Sequence, residues 1–164
     1  MIVAVMGVTG SGKTTIGESL AKRLGWEYAD ADDFHSAANK DKMHRGIPLT
    51  DADRLPWLAA IHEKLAQSTA AGRNLVLACS ALKQSYRDLL FRDLQVRLVY
   101  LKGSYEFIDE RLRARKGHFA DDKILAAQFA DLQEPTDALV VDIRPDPERI
   151  VDEICERLSL PASA

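Results

Sequence analysis

The sequence predicts a three-layer α/β/α fold in which helices cover both faces of a parallel five-stranded sheet. Short apolar runs suited to buried strands alternate with stretches in which apolar residues recur at helical spacing. The first apolar run leads directly into a glycine-rich loop, and that loop leads into a helical pattern. Strands that alternate with helices in this way form parallel sheets, because each crossover helix carries the chain back to the same edge.

The first elements can be justified in chain order. The apolar run from Ile2 to Met6 suits a strand that is buried on both faces. The helix predicted after the glycine-rich loop places Ile16, Leu20 and Leu24 on one face. A shorter strand is predicted from Trp26 to Ala29, so the chain begins with a strand, a helix and a second strand.

The remainder of the chain continues this alternation. We find no internal repeat and no composition shift that would mark a second domain, so we expect one domain spanning residues 1–164. The remaining predicted elements are a helix with Leu58, Ile61 and Leu65 on one face, strands at Leu75 to Cys79, Val96 to Leu101 and Ala138 to Val141, and a helix carrying Ile150, Ile154 and Leu158.

The composition excludes several classes of function. The hydrophobic fraction of 46% is ordinary for a globular protein, and no apolar run is long enough to cross a bilayer, so we expect no membrane segment. A formal net charge of −3 disfavours a nucleic-acid surface, which needs clustered Lys and Arg. The two cysteines, Cys79 and Cys155, are too few for a disulfide framework, which predicts a cytoplasmic protein.

The most informative motif is the glycine-rich loop Gly7-Val8-Thr9-Gly10-Ser11-Gly12-Lys13-Thr14. Glycines let the backbone curl until successive N–H groups point at one place, beside a helix N-terminus that attracts anions. Lys13 can reach the β- and γ-phosphates of a nucleotide, and the Thr14 hydroxyl can ligate Mg²⁺. The alternative is a tight turn between a strand and a helix. The context favours a phosphate-binding loop, which predicts binding of a nucleoside triphosphate.

A pair of carboxylates follows the second predicted strand. In extended backbone Asp30 and Asp32 project to the same side. One carboxylate can hold Mg²⁺ while the other accepts a hydrogen bond, and eventually a proton, from a substrate hydroxyl. We assign the metal to Asp30 and the hydroxyl to Asp32, although either could contact the metal directly. The alternative is an Asp-rich turn or helix cap.

Two groups of basic residues are further candidates. Lys83 and Arg87 follow the third predicted strand and are four residues apart, so they share a helix face. Together they could bind a carboxylate. The alternative is a solvated helix face. Arg111, Arg115 and Lys116 could belong to a lid that closes over the triphosphate and excludes water. The alternative there is a basic helix end that complements its own dipole.

Taken together, these segments resemble the gluconate kinases, small P-loop kinases that are related in fold to shikimate kinase and the nucleoside monophosphate kinases. The similarity runs from the phosphate loop to the last helix. Beyond that loop it is carried by Asp30-Ala31-Asp32, Gly46-Ile47-Pro48-Leu49-Thr50-Asp51-Ala52-Asp53-Arg54, Cys79-Ser80-Ala81-Leu82-Lys83, Tyr86-Arg87-Asp88-Leu89-Leu90, Arg115-Lys116-Gly117-His118-Phe119 and Leu132-Gln133-Glu134-Pro135.

The resemblance implies an ATP-dependent phosphotransferase that converts D-gluconate to 6-phospho-D-gluconate with Mg²⁺. It implies a homodimer with a mobile lid at about 111–122 and a substrate-binding helical segment at about 35–60. The implied catalytic residues are Lys13, Asp32 and Arg115, and the implied metal ligands are Thr14 and Asp30. The implied ATP-binding residues are Gly7, Val8, Thr9, Gly10, Ser11, Gly12, Lys13, Thr14, Thr15, Arg111, Arg115, Arg144 and Pro145. The implied gluconate-binding residues are Asp32, His35, Lys42, Arg54, Lys83, Arg87, His118 and Gln133.

One departure and two rival functions stay open at this point. Ser36 follows His35 where the family usually has proline, which leaves the local backbone undetermined. One rival is a related kinase for another hydroxy acid, such as shikimate. The other is a nucleotide-dependent switch module. The segment Asn39-Lys40-Asp41-Lys42 disfavours the switch, because the guanine-reading motif Asn-Lys-x-Asp requires Asp at its fourth position.

Overall fold

A parallel sheet of five strands organises residues 1–115 and 121–161, the part of the chain that the computed structural model describes. The strands stand in the order β2-β3-β1-β4-β5, and every neighbouring pair is parallel. This arrangement confirms the predicted fold class. The strands are β1 Ile2–Met6, β2 Glu27–Asp30, β3 Leu75–Ala78, β4 Val96–Lys102 and β5 Leu139–Asp142.

Helices connect the strands and cover both faces of the sheet. Ser36, the residue that replaces the family's proline, begins a helix: its Oγ accepts the N–H of Asn39 at 3.1 Å. Thr50 and Asp53 form a reciprocal capping box at the start of the longest helix. The helices are α1 Lys13–Leu24, α2 Ala37–His44, α3 Asp51–Ala70, α4 Gln84–Leu90, α5 Tyr105–Arg113, α6 Asp121–Asp131 and α7 Pro147–Arg157, with a 3₁₀-helix at Ala31–Phe34.

The central strand β1 divides the core into two layers. Successive side chains of a strand point to opposite faces, so Val3 and Val5 pack with α1 and α7, whereas Ile2, Ala4 and Met6 pack with α3 and α4. Because both faces are covered, all five residues of β1 are buried, which explains why the strand is apolar throughout. Within the described residues, no helix combines the length and the apolarity needed to cross a bilayer.

The strand order decides where the candidate site residues meet. The carboxyl ends of β2, β3 and β1 lie side by side, and ligands of open parallel sheets bind beyond such ends. The glycine-rich loop leaves β1 here, Asp30 is the last residue of β2, and Ser80 follows β3. Segments that are far apart in the sequence therefore share one edge of the sheet.

Candidate active site

Two glycines of the loop adopt backbone conformations that other residues rarely reach. Gly10 has φ of 76° and Gly12 has φ of 96°. A Cβ atom on Gly10 would also come within 2.9 Å of the Leu112 side chain, so α5 packs directly against the loop. The loop is thus shaped by glycine conformation and close helix packing, as a phosphate-binding loop requires.

Two donors of this loop contact neutral oxygens of the protein itself. Lys13 Nζ donates to the carbonyl of Val8 at 3.1 Å, and the N–H of Thr9 donates to Gln128 Oε1 at 2.6 Å. Desolvation by the surrounding protein lowers the pKa of the Lys13 ammonium, and the nearby Asp32 carboxylate opposes that shift. A phosphate oxygen is a stronger hydrogen-bond acceptor than a carbonyl or an amide, so an anion can displace both contacts.

The carboxylate of Asp30 is held in a defined orientation facing the loop. Its Oδ1 accepts the N–H of Asp32 at 2.9 Å, and its Oδ2 accepts from the Tyr28 hydroxyl at 3.3 Å and from Thr14 Oγ1 at 3.5 Å. The Asp32 side chain reaches solvent, but the cleft walls desolvate it in part, and together with Asp30 they raise its pKa. Lys13 opposes this increase. Asp32 is thus a better proton acceptor than a free carboxylate.

One cleft of about 330 Å³ brings together the three residues predicted to be catalytic. Lys13, Asp32 and Arg115 all line it, as do Thr15 and Gln128. Cationic groups for a phosphate and a carboxylate for a hydroxyl therefore face the same space. This arrangement suits transfer of a phosphoryl group to an alcohol.

A second cluster of polar side chains lies between the start of α3 and α4. We call Asp51, Arg54, Lys83 and Tyr86 the Tyr86 cluster. The Tyr86 hydroxyl donates to Asp51 Oδ1 at 2.6 Å, Arg54 donates to the Tyr86 oxygen at 3.1 Å, and Lys83 donates to Asp51 Oδ1 at 3.5 Å. The hydrogen bond from Tyr86 and the charge of Lys83 hold the pKa of Asp51 below its usual value. A carboxylate is therefore already bound between the two cations.

Arg87 occupies a different place from Lys83. Its side chain is only 3% exposed, and its guanidinium donates to the carbonyls of Ala81 at 2.7 Å, Leu82 at 3.1 Å and Gln133 at 2.8 Å. Lys83 is the non-helical N-cap of α4, so the helical spacing that predicted a face shared with Arg87 does not apply. Through these hydrogen bonds, Arg87 connects the loop between β3 and α4 to the segment after α6.

Gln133 makes further hydrogen bonds between the same two segments. Its Oε1 accepts the N–H of Gln84, the first residue of α4, at 2.7 Å. Its own N–H donates to the carbonyl of Leu82 at 2.8 Å. The side chain of this predicted gluconate ligand thus caps a helix in the structure.

His35 directly follows the 3₁₀-helix that carries Asp32, and Lys42 lies on α2. The His35 ring stacks on Trp57, with centroids 4.3 Å apart and planes 9° apart. Trp57 Nε1 donates to the carbonyl of Ala31 at 2.6 Å, which anchors this pair. Lys42 forms an ion pair with Asp53 at 2.9 Å.

Beyond the loop itself and Arg115, the residues predicted to contact the nucleotide lie in two places: Arg111 is near the loop, and Arg144 and Pro145 follow β5. The Arg111 guanidinium lies over the Phe107 ring and donates to the carbonyl of Ile143 at 3.3 Å. It also passes over the loop, since its Nη1 lies 3.9 Å from where a Cβ of Gly12 would be. Arg144 lies after β5, where it forms an ion pair with Asp142 at 2.6 Å, and Pro145 follows it.

The predicted lid lies only partly within the described residues. His118, a predicted gluconate ligand, and the segment 116–120 lie outside the described residues. Arg111 and Arg115 mark where the chain enters that segment, and α6 begins where it ends.

Sequence reasoning missed three polar residues that the fold brings to this region. Gln128 contacts the loop, Asp51 occupies the Tyr86 cluster, and Asn39 contacts His35. Asp51 could have been found from its position. It is the first residue of a helix with a recognisable cap, and an acidic side chain there stays close to a fixed backbone. For Gln128 and Asn39, single amides on short helices, the sequence carries no comparable signal.

Comparison with known proteins gives a consistent family. A family model described as an AAA domain matches residues 2–138. A probable gluconokinase from Mus musculus is 45% identical over 153 residues, covering 82% of this chain and 83% of that protein. A gluconokinase from Gluconobacter oxydans (strain 621H) is 45% identical over 157 residues, covering 95% and 88%. The crystal structure of a gluconokinase from Sinorhizobium meliloti 1021 is 38% identical, with a TM-score of 0.82 and coverage of 96% and 94%.

Proposed function

The chain belongs to the gluconokinase family, and we propose that it transfers the γ-phosphoryl group of ATP to the terminal hydroxyl of D-gluconate, giving 6-phospho-D-gluconate and ADP. The observation that carries this proposal is that Lys13, Asp32 and Arg115 line the same cleft. The Tyr86 cluster adjoins that cleft along the chain, because Lys83 follows Ser80 of the cleft wall by three residues. We propose that the loop end of the site binds the triphosphate and that the Tyr86 cluster binds the acid.

We propose that the triphosphate is held by the loop and its flanking cations. The N–H of Thr9 and the Lys13 ammonium would exchange their neutral acceptors for phosphate oxygens. Arg111, which lies over the loop, and Arg115, on the cleft wall, would neutralise charge as the γ-phosphoryl moves. The segment around Arg144 would lie against adenine, an assignment that rests on the family resemblance.

The donor set beside the loop fits Mg²⁺. Thr14 and Asp30 offer hard oxygen ligands 3.5 Å apart, and Mg²⁺ usually takes only one or two protein oxygens, the rest coming from phosphates and water. Among the described residues, no group of three or more His, Cys, Asp or Glu could hold a metal by itself. When bound, the ion would supply charge neutralisation on the transferring phosphoryl group.

For the acceptor, we propose that Asp32 orients the terminal hydroxyl and takes its proton as the bond to phosphorus forms. Phosphoryl transfer depends chiefly on alignment, so aiming the hydroxyl matters more than base strength. Lys83 and Arg54 would hold the carboxylate of the acid, since both already contact a carboxylate, that of Asp51. His35, Lys42, His118 and Gln133 are the remaining proposed contacts for gluconate. Arg87 would act on the acceptor by holding the loop that presents Lys83.

The lid, the acceptor-binding segment, the oligomeric state and the compartment are also proposals. We propose that 111–122 close as a lid, that 35–60 bind the acceptor, and that the chain works as one domain of a homodimer in the cytoplasm. Buried Cys79 and half-buried Cys155 are both free thiols, which suits a reducing compartment. Light scattering on the purified protein tests the dimer directly.

A coupled ADP-release assay over a panel of sugar acids and shikimate tests the function. We expect D-gluconate to give the highest kcat/KM and Lys13→Ala to abolish the signal. A higher kcat/KM with shikimate would identify the rival kinase. ADP release that is independent of any acceptor would identify a nucleotide-dependent switch instead.

A further inference from the structure

Asn39 is a buried polar residue without a role in the proposed chemistry. It lies on α2, and only 6% of its surface is exposed. Its Nδ2 lies 2.9 Å from the carbonyl oxygen of Asp53 and 3.3 Å from Nδ1 of His35. A buried side-chain amide with two such contacts constrains the groups on either side of it.

These two contacts determine which atom of the amide faces His35. A peptide carbonyl can only accept a hydrogen bond, so the atom next to the Asp53 oxygen must be the NH₂ group and not the amide oxygen. The same NH₂ group faces His35 Nδ1, and its second N–H is directed there. Nδ1 of His35 is therefore the acceptor.

The proton of His35 is then located on the other ring nitrogen. Burial lowers the pKa of His35, and the charges of Arg54 and Lys40 lower it further, so the ring is neutral at pH 7. A neutral imidazole carries one N–H. With Nδ1 accepting from Asn39, that N–H lies on Nε2. Within residues 1–115 and 121–161, Nε2 has no hydrogen-bond partner.

The ring that carries this unused N–H is held rigidly beside Asp32. Its stacking on Trp57 fixes its plane, and the bond from Trp57 Nε1 to the Ala31 carbonyl ties the pair to the residue before Asp32. Arg54 of the Tyr86 cluster is close enough to influence the charge of the ring. His35 is thus linked to both proposed acceptor contacts: its backbone N–H donates to the carbonyl of Asp32 at 3.4 Å, and the charge of Arg54 acts on its ring.

We propose that Asn39 is a positioning residue that keeps His35 in its Nε2–H form, as a neutral donor to a hydroxyl oxygen of a polyhydroxy acid. This inference rests on the proposed function, because the hydroxyl belongs to the acceptor of that reaction. A neutral donor recognises a hydroxyl oxygen without adding a further positive charge beside Arg54. Asn39 thereby contributes to selection of a polyol without contacting it.

Nuclear magnetic resonance of ¹⁵N-histidine-labelled protein tests the tautomer without any substrate. Two-bond ¹H–¹⁵N correlations at pH 7 distinguish a protonated Nε2 from a protonated Nδ1, and His35→Gln identifies the signals of this ring by their loss. We expect the Nε2–H form in the unaltered protein. An Nδ1–H form or an imidazolium would overturn the proposal, whatever the substrate of the enzyme is.

Substitution of Asn39 tests the consequence for the acceptor. In Asn39→Asp the carboxylate can only accept a hydrogen bond, which favours a proton on Nδ1, so we expect the tautomer to reverse and the pKa of His35 to rise. We expect KM for gluconate to rise about tenfold, the effect of losing about one hydrogen bond, and KM for ATP to stay within about twofold. If Asn39→Asp fails to fold, Asn39→Ala replaces it in the test, because it removes the donor without adding charge. We expect it to raise KM for gluconate as well.

The charge-matched control is Asn74→Asp, whose side chain contacts the chain N-terminus. We expect it to leave both KM values within about twofold. Equal rises in KM for gluconate and ATP in the folded Asn39 variants would show a merely structural role and overturn the proposal. If no sugar acid is phosphorylated at all, the proposed function fails, while the tautomer measured by resonance still decides the role of Asn39.

Discussion

Gln128 Oε1 accepts the backbone N–H of Thr9 at 2.6 Å, so a side chain of α6 occupies a donor of the phosphate loop. Backbone N–H groups of such a loop bind phosphate oxygens, so we expect a bound nucleotide to compete with Gln128 for this donor. Since α6 begins directly after the segment 116–120, displacement of Gln128 would link nucleotide binding to the predicted lid.

Replacement of this amide separates displacement from direct binding. Gln128→Glu places a negative charge against the loop, so we expect ATP affinity measured by calorimetry to fall at least about tenfold. Gln128→Ala only removes the competing acceptor, and we expect an affinity within about threefold of the unaltered protein. Gln67→Glu, at an exposed position of α3, controls for the added charge. Equal losses in Gln128→Ala and Gln128→Glu would mean that Gln128 binds the nucleotide itself.

The strands could be predicted because each is an apolar run between helical patterns, a signal that lies within a few neighbouring residues. Their ends differ by one residue in places: β4 reaches Lys102, and β5 begins at Leu139. The phosphate loop was also predictable, because local spacing alone defines it. Asp30 and Asp32 line one cleft, but the extended backbone assumed for them ends at Asp30, and Asp32 lies in the 3₁₀-helix that Asp30 caps.

The contacts of Gln128, Asn39 and Arg87 could not be predicted in the same way. Gln128 meets Thr9 across 119 residues of sequence, and Arg87 meets Gln133 across 46. Such pairings depend on how α6 packs against the loop and how the segment after it returns to the sheet edge. For Arg87, the spacing argument also assumed that Lys83 is helical, and Lys83 is instead the residue before α4.

Asp32→Asn tests the residue that aims the acceptor hydroxyl. The amide keeps the size of the side chain but cannot take a proton, so we expect kcat to fall about a hundredfold or more. ATP binding, which depends on the loop, should change little. The neighbouring exposed carboxylate gives the matched control Asp33→Asn, expected to retain most activity. Near-normal turnover in Asp32→Asn would remove Asp32 from the mechanism.

Lys83→Gln tests the proposed contact with the acid. Loss of the cation from the Tyr86 cluster should raise KM for gluconate about tenfold and leave KM for ATP almost unchanged. Lys64→Gln removes a lysine that instead pairs with Glu27, and we expect no kinetic effect from it. A parallel rise of both KM values in Lys83→Gln would argue against a specific carboxylate contact.

Arg87→Lys distinguishes a structural role from a direct role in binding. An ammonium cannot donate along the three directions that satisfy Ala81, Leu82 and Gln133, so buried carbonyls would lose partners. We expect the free energy of unfolding in urea to fall by about 3 kcal/mol. Arg92→Lys, on the exposed side of the same region, should change it by less than about 0.5 kcal/mol. Unchanged stability with loss of gluconate binding would instead make Arg87 a ligand.

The ion pair between Lys42 and Asp53 makes stability depend on pH at the acidic end. The N–H of Thr50 and the Lys42 ammonium lower the pKa of Asp53 from 3.8 to about 2. Because the unfolded chain then binds a proton more readily than the folded one, this stabilisation is complete above pH of about 4 and is lost as pH falls toward 2.

Asp53→Asn should therefore lower the melting temperature at pH 6 and flatten its decline between pH 4 and pH 2. Asp33→Asn, which removes a carboxylate without a hydrogen bond among the described residues, should leave the decline as steep as in the unaltered protein. Thermal melts monitored by circular dichroism across this range measure both effects. An unchanged slope in Asp53→Asn would show that other carboxylates govern the acid sensitivity. The contacts of Asp53 with Thr50 and Lys42 would then contribute little to stability in this pH range.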